Sequence, residues 1–367
     1  MDNLRQNRKQ TRKVVVRGLG IGGDAPVSIQ SMTNVPIEDV EGTIKQIRKL
    51  TDEGAGLMRL AVRNEESIKY LKKIRKAVDT PLSADVHFNY RIAIKSIEAG
   101  IDKVRINPGN IGSADKVREV LKAAKDYSVP IRVGVNSGSV DTKKYGSVSP
   151  QSLVDSAMEH IKILEDNDFF DIVVSIKSSD IFQTIEANEL FSSVRNYPLH
   201  LGLTEAGYGM SCAVQSSITI GHLLLNGIGD TIRVSMTGDP ADEIVVAKKI
   251  LESVGERKPV LRIISCPTCG RTDPSLDILS LAQSVETELN AKFGNALKEK
   301  NISLTIAVMG CEVNGPGEAA HADIGIAGGR KGKMLLFSKG KKLKTIKAAD
   351  AVKALLDNVE NIIQNFK

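Results

Sequence analysis

Eight short segments rich in branched apolar residues recur along the first two-thirds of this chain, at 27–30, 57–60, 81–84, 103–106, 131–135, 172–176, 199–203 and 231–235. Between them lie stretches with helical periodicity, as at 40–50, 67–77, 114–125 and 153–165; in the last, residues 153, 157, 161 and 164 share one face. Such alternation predicts parallel strands joined by crossover helices, because a strand buried on both faces reads as a continuous apolar run. Eight units over roughly 250 residues predict a TIM (β/α)8 barrel. A doubly wound sheet is the competing arrangement, but no glycine-rich dinucleotide loop follows the first segment.

A barrel of this kind carries its chemistry at the carboxyl ends of its strands. Polar residues stand there repeatedly: Gln30, Arg59, Asp85 with His87 and Asn89, Arg105 with Asn107, Arg132 with Asn136, Lys177, Glu205, and Arg233 with Ser235. Any one of them fits a solvated loop or an internal ion pair. Basic groups delivered to one rim by several strands point instead to a phosphate or diphosphate, whose oxygens match the guanidinium fork. Glu205 could act as general acid or base on a substrate hydroxyl, and Asp85 could hold one, or each could neutralise a neighbouring arginine.

The text changes character near residue 254, and 256–259 reads as a short polar linker. The expected division is therefore a barrel at 1–255 and a smaller α/β domain at 256–367, with strands near 260–265, 304–309, 324–327 and 334–337 and helices near 276–293 and 349–363. Its chemistry lies in Cys266-Pro267-Thr268-Cys269-Gly270-Arg271 and Met309-Gly310-Cys311-Glu312-Val313-Asn314-Gly315-Pro316-Gly317-Glu318. Both motifs sit in turns, where thiolates and amides can curl round a metal centre. Three thiolates leave a fourth ligand open. A structural zinc would take His321, whereas an iron–sulfur cubane could take a weaker oxygen ligand from Glu318. Cys212, in an apolar stretch, reads as a packed thiol.

Four cysteines in a chain of 367 residues do not suggest a disulfide framework. The net charge of +6 raises nucleic acid as a partner, but aromatics are only 4% and Trp is absent, so stacking platforms are scarce. No apolar run is long enough to span a bilayer and no apolar stretch backs the basic residues at 1–13, so the expectation is a cytoplasmic protein bound to neither membrane nor nucleic acid.

Several segments together resemble the bacterial 4-hydroxy-3-methylbut-2-en-1-yl diphosphate synthases: Val27-Ser28-Ile29-Gln30-Ser31-Met32-Thr33-Asn34, Ala84-Asp85-Val86-His87-Phe88, Arg105-Ile106-Asn107-Pro108-Gly109-Asn110, Thr204-Glu205-Ala206-Gly207, Ser235-Met236-Thr237-Gly238-Asp239-Pro240 and both cysteine motifs. The resemblance implies a two-domain oxidoreductase that opens 2-C-methyl-D-erythritol 2,4-cyclodiphosphate reductively. It implies one [4Fe–4S] cluster per subunit on Cys266, Cys269, Cys311 and Glu318, and a diphosphate gripped by Arg59, Arg105, Arg132, Lys177 and Ser235. Asp85, Asn89, Asn107 and Asn136 would line the substrate, Asn314 would lie near the reacting oxygen, and Glu205 would serve the hydroxyl that leaves. Flavodoxin or ferredoxin would bring the electrons. The rival readings are a pterin-binding, methyltransferase-like barrel with a structural zinc domain, and a zinc-ribbon protein that holds nucleic acid.

A head-to-tail homodimer is also expected. A barrel's last helix ends at the face opposite the catalytic rim. A linker of about six residues reaches about 20 Å, less than the roughly 22 Å of a fifteen-residue helix.

Overall fold

The computed structural model describes residues 8–86, 89–106, 114–313, 317 and 319–366. His87, Asn107, Asn314 and Glu318, all named above, lie outside the described residues. The chain forms two compact units, 1–257 and 258–367.

The first unit opens with a hairpin the sequence did not announce, β1 (Val14–Val16) antiparallel to β2 (Leu19–Ile21). Val14, Val16 and Ile21 pack on Leu57 and Val173, at the starts of two barrel strands, so the hairpin covers the barrel's amino-terminal end. Then come β3 (Ser28–Met32), β4 (Leu57–Ala61), β5 (Leu82–Asp85), β6 (Lys103–Ile106), β7 (Ile131–Asn136), β8 (Ile172–Lys177), β9 (His200–Leu201) and β10 (Thr231–Ile232). They pair in parallel in the order β8-β7-β6-β5-β4-β3-β10-β9, and a bridge between Val174 and Leu199 joins the two ends. The result is the expected eight-stranded TIM barrel.

The crossovers are α1 (Val40–Asp52), α2 (Ser67–Ala77), α3 (Tyr90–Glu98), α4 (Ala114–Asp126), α5 (Pro150–Glu165), α6 (Ile181–Val194), α7 (Gly209–Leu225) and α8 (Pro240–Ser253). The start of α5 is written locally: Pro150 takes the first turn, and Ser149 Oγ accepts the Ser152 amide at 3.1 Å. Its buried residues include Leu153, Ala157, Ile161 and Leu164, the predicted stripe.

Strands β9 and β10 are shorter than the expected 199–203 and 231–235. Gly202 leaves the extended region at φ 152°, and a Cβ there would stand 2.3 Å from the Arg233 carbonyl oxygen, so the two chains approach too closely for a regular ladder.

The second unit is a five-stranded sheet ordered β11 (Leu261–Ser265), β12 (Leu304–Met309), β13 (Ile324–Gly328), β14 (Lys333–Ser338), β15 (Lys341–Lys347). The first three strands are parallel and the rest antiparallel. Helices α9 (Ile278–Glu299) and α10 (Ala351–Gln364) cover the face bearing Ile306, Val308, Met334 and Leu336. The other face carries Ala307, Met309, Leu335 and Phe337, with Cys266 against them. β15 escapes a search for apolar alternation because lysines fill its sequence.

Candidate active site

Along β6, Val104 and Ile106 join the core against the helices, while Lys103 and Arg105 point inward. The Lys103 Nζ reaches Gln30 Oε1 on β3 at 3.4 Å, across two intervening strands, which places both inside the barrel. Ladder partners share a face, so Asp85, Arg105 and Arg132, linked in register, also point inward. Where most TIM barrels fill this space with branched apolar side chains, this one holds Arg59, Lys103, Arg105, Arg132, Lys177 and Arg233.

Two carboxylates offset them in part. Asp85 lies 3.4 Å from Arg105 and 3.9 Å from Arg59. Glu243, buried on α8, pairs with Arg233 at 3.1 Å and also accepts the Ser31 hydroxyl and the Met236 amide. Arg59 points Nη2 and Nε at Met32 Sδ, at 2.9 and 3.1 Å, a weak acceptor. Arg132 Nε and Nη1 are shut from solvent and have no partner among the described residues. A buried guanidinium in that state costs several kcal/mol, on the order of a broken ion pair.

Burial, reinforced by each other's charge, pushes Arg132, Lys177 and Lys103 far below their ordinary pKa values. Arg59 is lowered by burial to about 10, with Asp85 opposing the shift. Such a site is built for an anion, which would return each cation to its charged form. Two glycines make the room. A Cβ at Gly134 would stand 2.8 Å from Arg105 Nε, and one at Gly202 would stand 2.7 Å from Lys177 Nζ.

Beyond the strand ends, Glu205 is exposed, in the left-handed region at φ 56°. Its loop is tied to the next by Thr237 N donating to Gly207 O at 3.0 Å. Asn89 caps α3, its side chain accepting the Arg91 amide at 3.0 Å. Asn136 ends β7 in register with Lys177. The Ser235 carbonyl receives the buried Cys212 thiol at 3.5 Å, and burial pushes that thiol's pKa up, as fits a packed cysteine.

In the second unit, the two cysteine motifs come together. Cys266 Sγ accepts the Gly310 amide at 3.1 Å, which sets the first loop against the residue preceding Cys311. The Arg271 guanidinium lies beside both Cys269 and Cys311, and their negative charge raises its pKa. The Arg271 amide and then its guanidinium hold the Cys269 thiol below the usual range. Among the described residues, no three His, Cys, Asp or Glu side chains close round a single ion. Three thiols from two loops, an N–H···S hydrogen bond and an adjacent guanidinium fit an electron-rich, thiolate-held cluster.

Residues 11–248 match the GcpE TIM-barrel domain, and residues 262–361 match the GcpE protein C-terminal domain. The chain belongs to the GcpE family. Among relatives, a 4-hydroxy-3-methylbut-2-en-1-yl diphosphate synthase (flavodoxin) from Clostridium perfringens (strain 13 / Type A) is 51% identical over 359 residues, covering 97% of this chain and 100% of that protein. The protein of the same name from Fusobacterium nucleatum subsp. nucleatum is 49% identical, covering 98% and 99%.

For this member of the GcpE family, sequence reasoning named the rim cations but left out Lys103, His200, Met32 and Glu243. His200 is fully buried, neither ring nitrogen has a partner among the described residues, and burial among Lys177, Arg132 and Lys103 drives its pKa far down. One signal was available: in Lys103-Val104-Arg105-Ile106, charged residues alternate with apolar ones inside a parallel strand, so one face had to be polar.

Proposed function

We propose that this chain carries out the reaction for which its relatives are named, forming hydroxymethylbutenyl diphosphate from 2-C-methyl-D-erythritol 2,4-cyclodiphosphate. The reaction takes in two electrons and two protons, breaks a carbon–oxygen bond to the diphosphate, and releases one hydroxyl as water. The observation that carries this reading is the buried cation cluster, in which Arg132 Nε and Nη1 have no partner among the described residues. Arg59, Arg105, Arg132, Lys177 and Ser235 hold the diphosphate, while Asp85, Asn89, Asn107 and Asn136 orient the rest of the substrate. Glu205 delivers a proton to the departing hydroxyl, and Asn314 steadies the reacting oxygen.

Cys266, Cys269, Cys311 and Glu318 hold one [4Fe–4S] cluster per subunit. When bound, it supplies electrons and a Lewis-acidic iron. The match of both units to one family supports this reading over a pterin-binding barrel with structural zinc. Flavodoxin is the carrier in the relatives' names. Among the described residues no helix is long and apolar enough to cross a membrane, and we place the reaction in the cytoplasm.

The working unit is a head-to-tail homodimer in which one chain's second unit closes the other's barrel. Tyr208 and Met210, beside Glu205, are 76% and 79% exposed, an apolar rim that supports a covering partner.

The test is anaerobic purification, iron and sulfide analysis, and phosphorus NMR of the cyclic diphosphate incubated with reduced viologen. Brown protein and loss of the cyclic signals are expected, and Cys269→Ser should remove both. A colourless, zinc-loaded protein from iron-replete, anaerobic cells would overturn the reading.

A further inference from the structure

Between Arg330 and Lys347 the second unit carries eight Lys or Arg and no Asp or Glu. All eight are exposed, and no ion pair among the described residues includes any of them. Lysines on an edge strand such as β15 commonly serve to block pairing with other sheets. Edge protection does not account for this arrangement. Lys333 and Lys347 are direct register partners across β14 and β15, and like charges placed opposite each other are unfavourable. Arg330 and Lys331 lie in the turn between β13 and β14, away from the edge.

That turn abuts both cysteine loops. β13 pairs with β12 up to Met309, and the next residues approach so closely that a Cβ on Gly328 would stand 2.3 Å from Gly310 O, one residue before Cys311. On its other side the Gly332 amide donates to Asp273 Oδ2 at 3.4 Å, two residues past Arg271. Lys342 pairs with Phe337 and therefore shares the sheet face of Leu335 and Phe337, on which Cys266 packs. The charge is thus continuous with the thiols rather than scattered over the unit.

We propose that Lys331, Lys333, Lys342 and Lys347 form the docking ridge for an acidic electron-carrier protein of the flavodoxin class. The inference rests on the redox reading above and adds where its electrons enter. The carrier is oxidised on the ridge, and the two electrons passed on per substrate end in the broken carbon–oxygen bond and the released water. Charge complementarity would set the encounter rate and make it sensitive to salt.

The experiment uses the full-length holoenzyme and its Lys331→Glu, Lys333→Glu, Lys347→Glu triple variant, with circular dichroism and cluster absorption as checks of folding. Binding of a purified bacterial flavodoxin is measured by calorimetry at low and high salt. Wild type should lose affinity as salt rises, and the variant should bind at least about tenfold more weakly. Viologen-driven turnover should match wild type. If the triple variant folds poorly, the Lys→Gln version at the same positions is read in its place. Flavodoxin binding unchanged by either variant overturns the proposal. So does a substitution that abolishes binding of a DNA duplex while sparing flavodoxin, which would assign the ridge to nucleic acid. Failure of wild type to turn over with viologen would sink the redox reading instead, and the two failures are separable because docking is read from binding alone.

Discussion

Glu205 holds a backbone conformation, φ 56°, that disfavours any residue with a Cβ by about 1–2 kcal/mol. Glycine would rest there more easily, although its freedom in the unfolded chain returns about 0.5–1 kcal/mol of the gain. Glu205→Gly should therefore leave the thermal midpoint unchanged or slightly raised while abolishing proton delivery. Glu205→Gln should retain substrate affinity and lose turnover by about 10²–10⁴-fold. A clear drop in the midpoint of Glu205→Gly would show that the side chain is structural, and undiminished turnover of Glu205→Gln would remove its proton role. The motif Thr204-Glu205-Ala206-Gly207 made this residue legible in the sequence, but its backbone strain was not. Nor could the sequence assign partners among the arginines. Arg233 meets Glu243 because α8 folds back over its own strand, whereas Arg132 lies in register with Arg105 and Val173 and draws only on the more distant charge of Asp85.

At the scale of elements, α5 carries a pH-dependent liability. His160 Nδ1 is buried with no partner among the described residues, and burial lowers the ring's pKa from its ordinary 6.5 to about 4, with Glu159 opposing the shift and Lys144 adding to it. Between those two values the unfolded chain binds a proton that the folded helix refuses. Stability should therefore fall as pH drops through about 6.5, with the loss complete near pH 4 and reaching at most about 3 kcal/mol. Urea unfolding of wild type and His160→Gln at pH 7 and pH 5 tests this. The variant should lose less stability than wild type over that step, and parallel losses would refute the assignment. Caps and stripes made α5 readable in advance. β9 and β10 were overread because apolar content alone cannot report that Gly202 packs on a neighbouring backbone. β15 was missed for the converse reason, since an edge strand needs no apolar face of its own once β14 supplies one.

For the whole molecule, the path of the chain bears on how many copies make a working site. Helix α8 runs antiparallel to β10 and returns the chain to the barrel's amino-terminal end, opposite the cations. Arg257 N is tied back to Leu251 O at 3.1 Å, so only 258–260 is free to extend before β11 begins. Three residues span about 10 Å, whereas α8 alone is about 21 Å long, and this short reach is the ground for the proposed head-to-tail dimer. In that proposed dimer a two-fold axis would give two identical sites, each drawing on both chains. Mixing Glu205→Gln protein with Cys269→Ser protein tests this, because neither homodimer has a complete site while a mixed dimer has one. Tagging the two chains differently and isolating the mixed species should recover about half the turnover of a wild-type dimer per dimer, as one intact site of two requires. Mixed dimers that form and stay inactive would mean that each chain serves its own barrel, and the segment at 254–260 would then have to unfold from the path seen here.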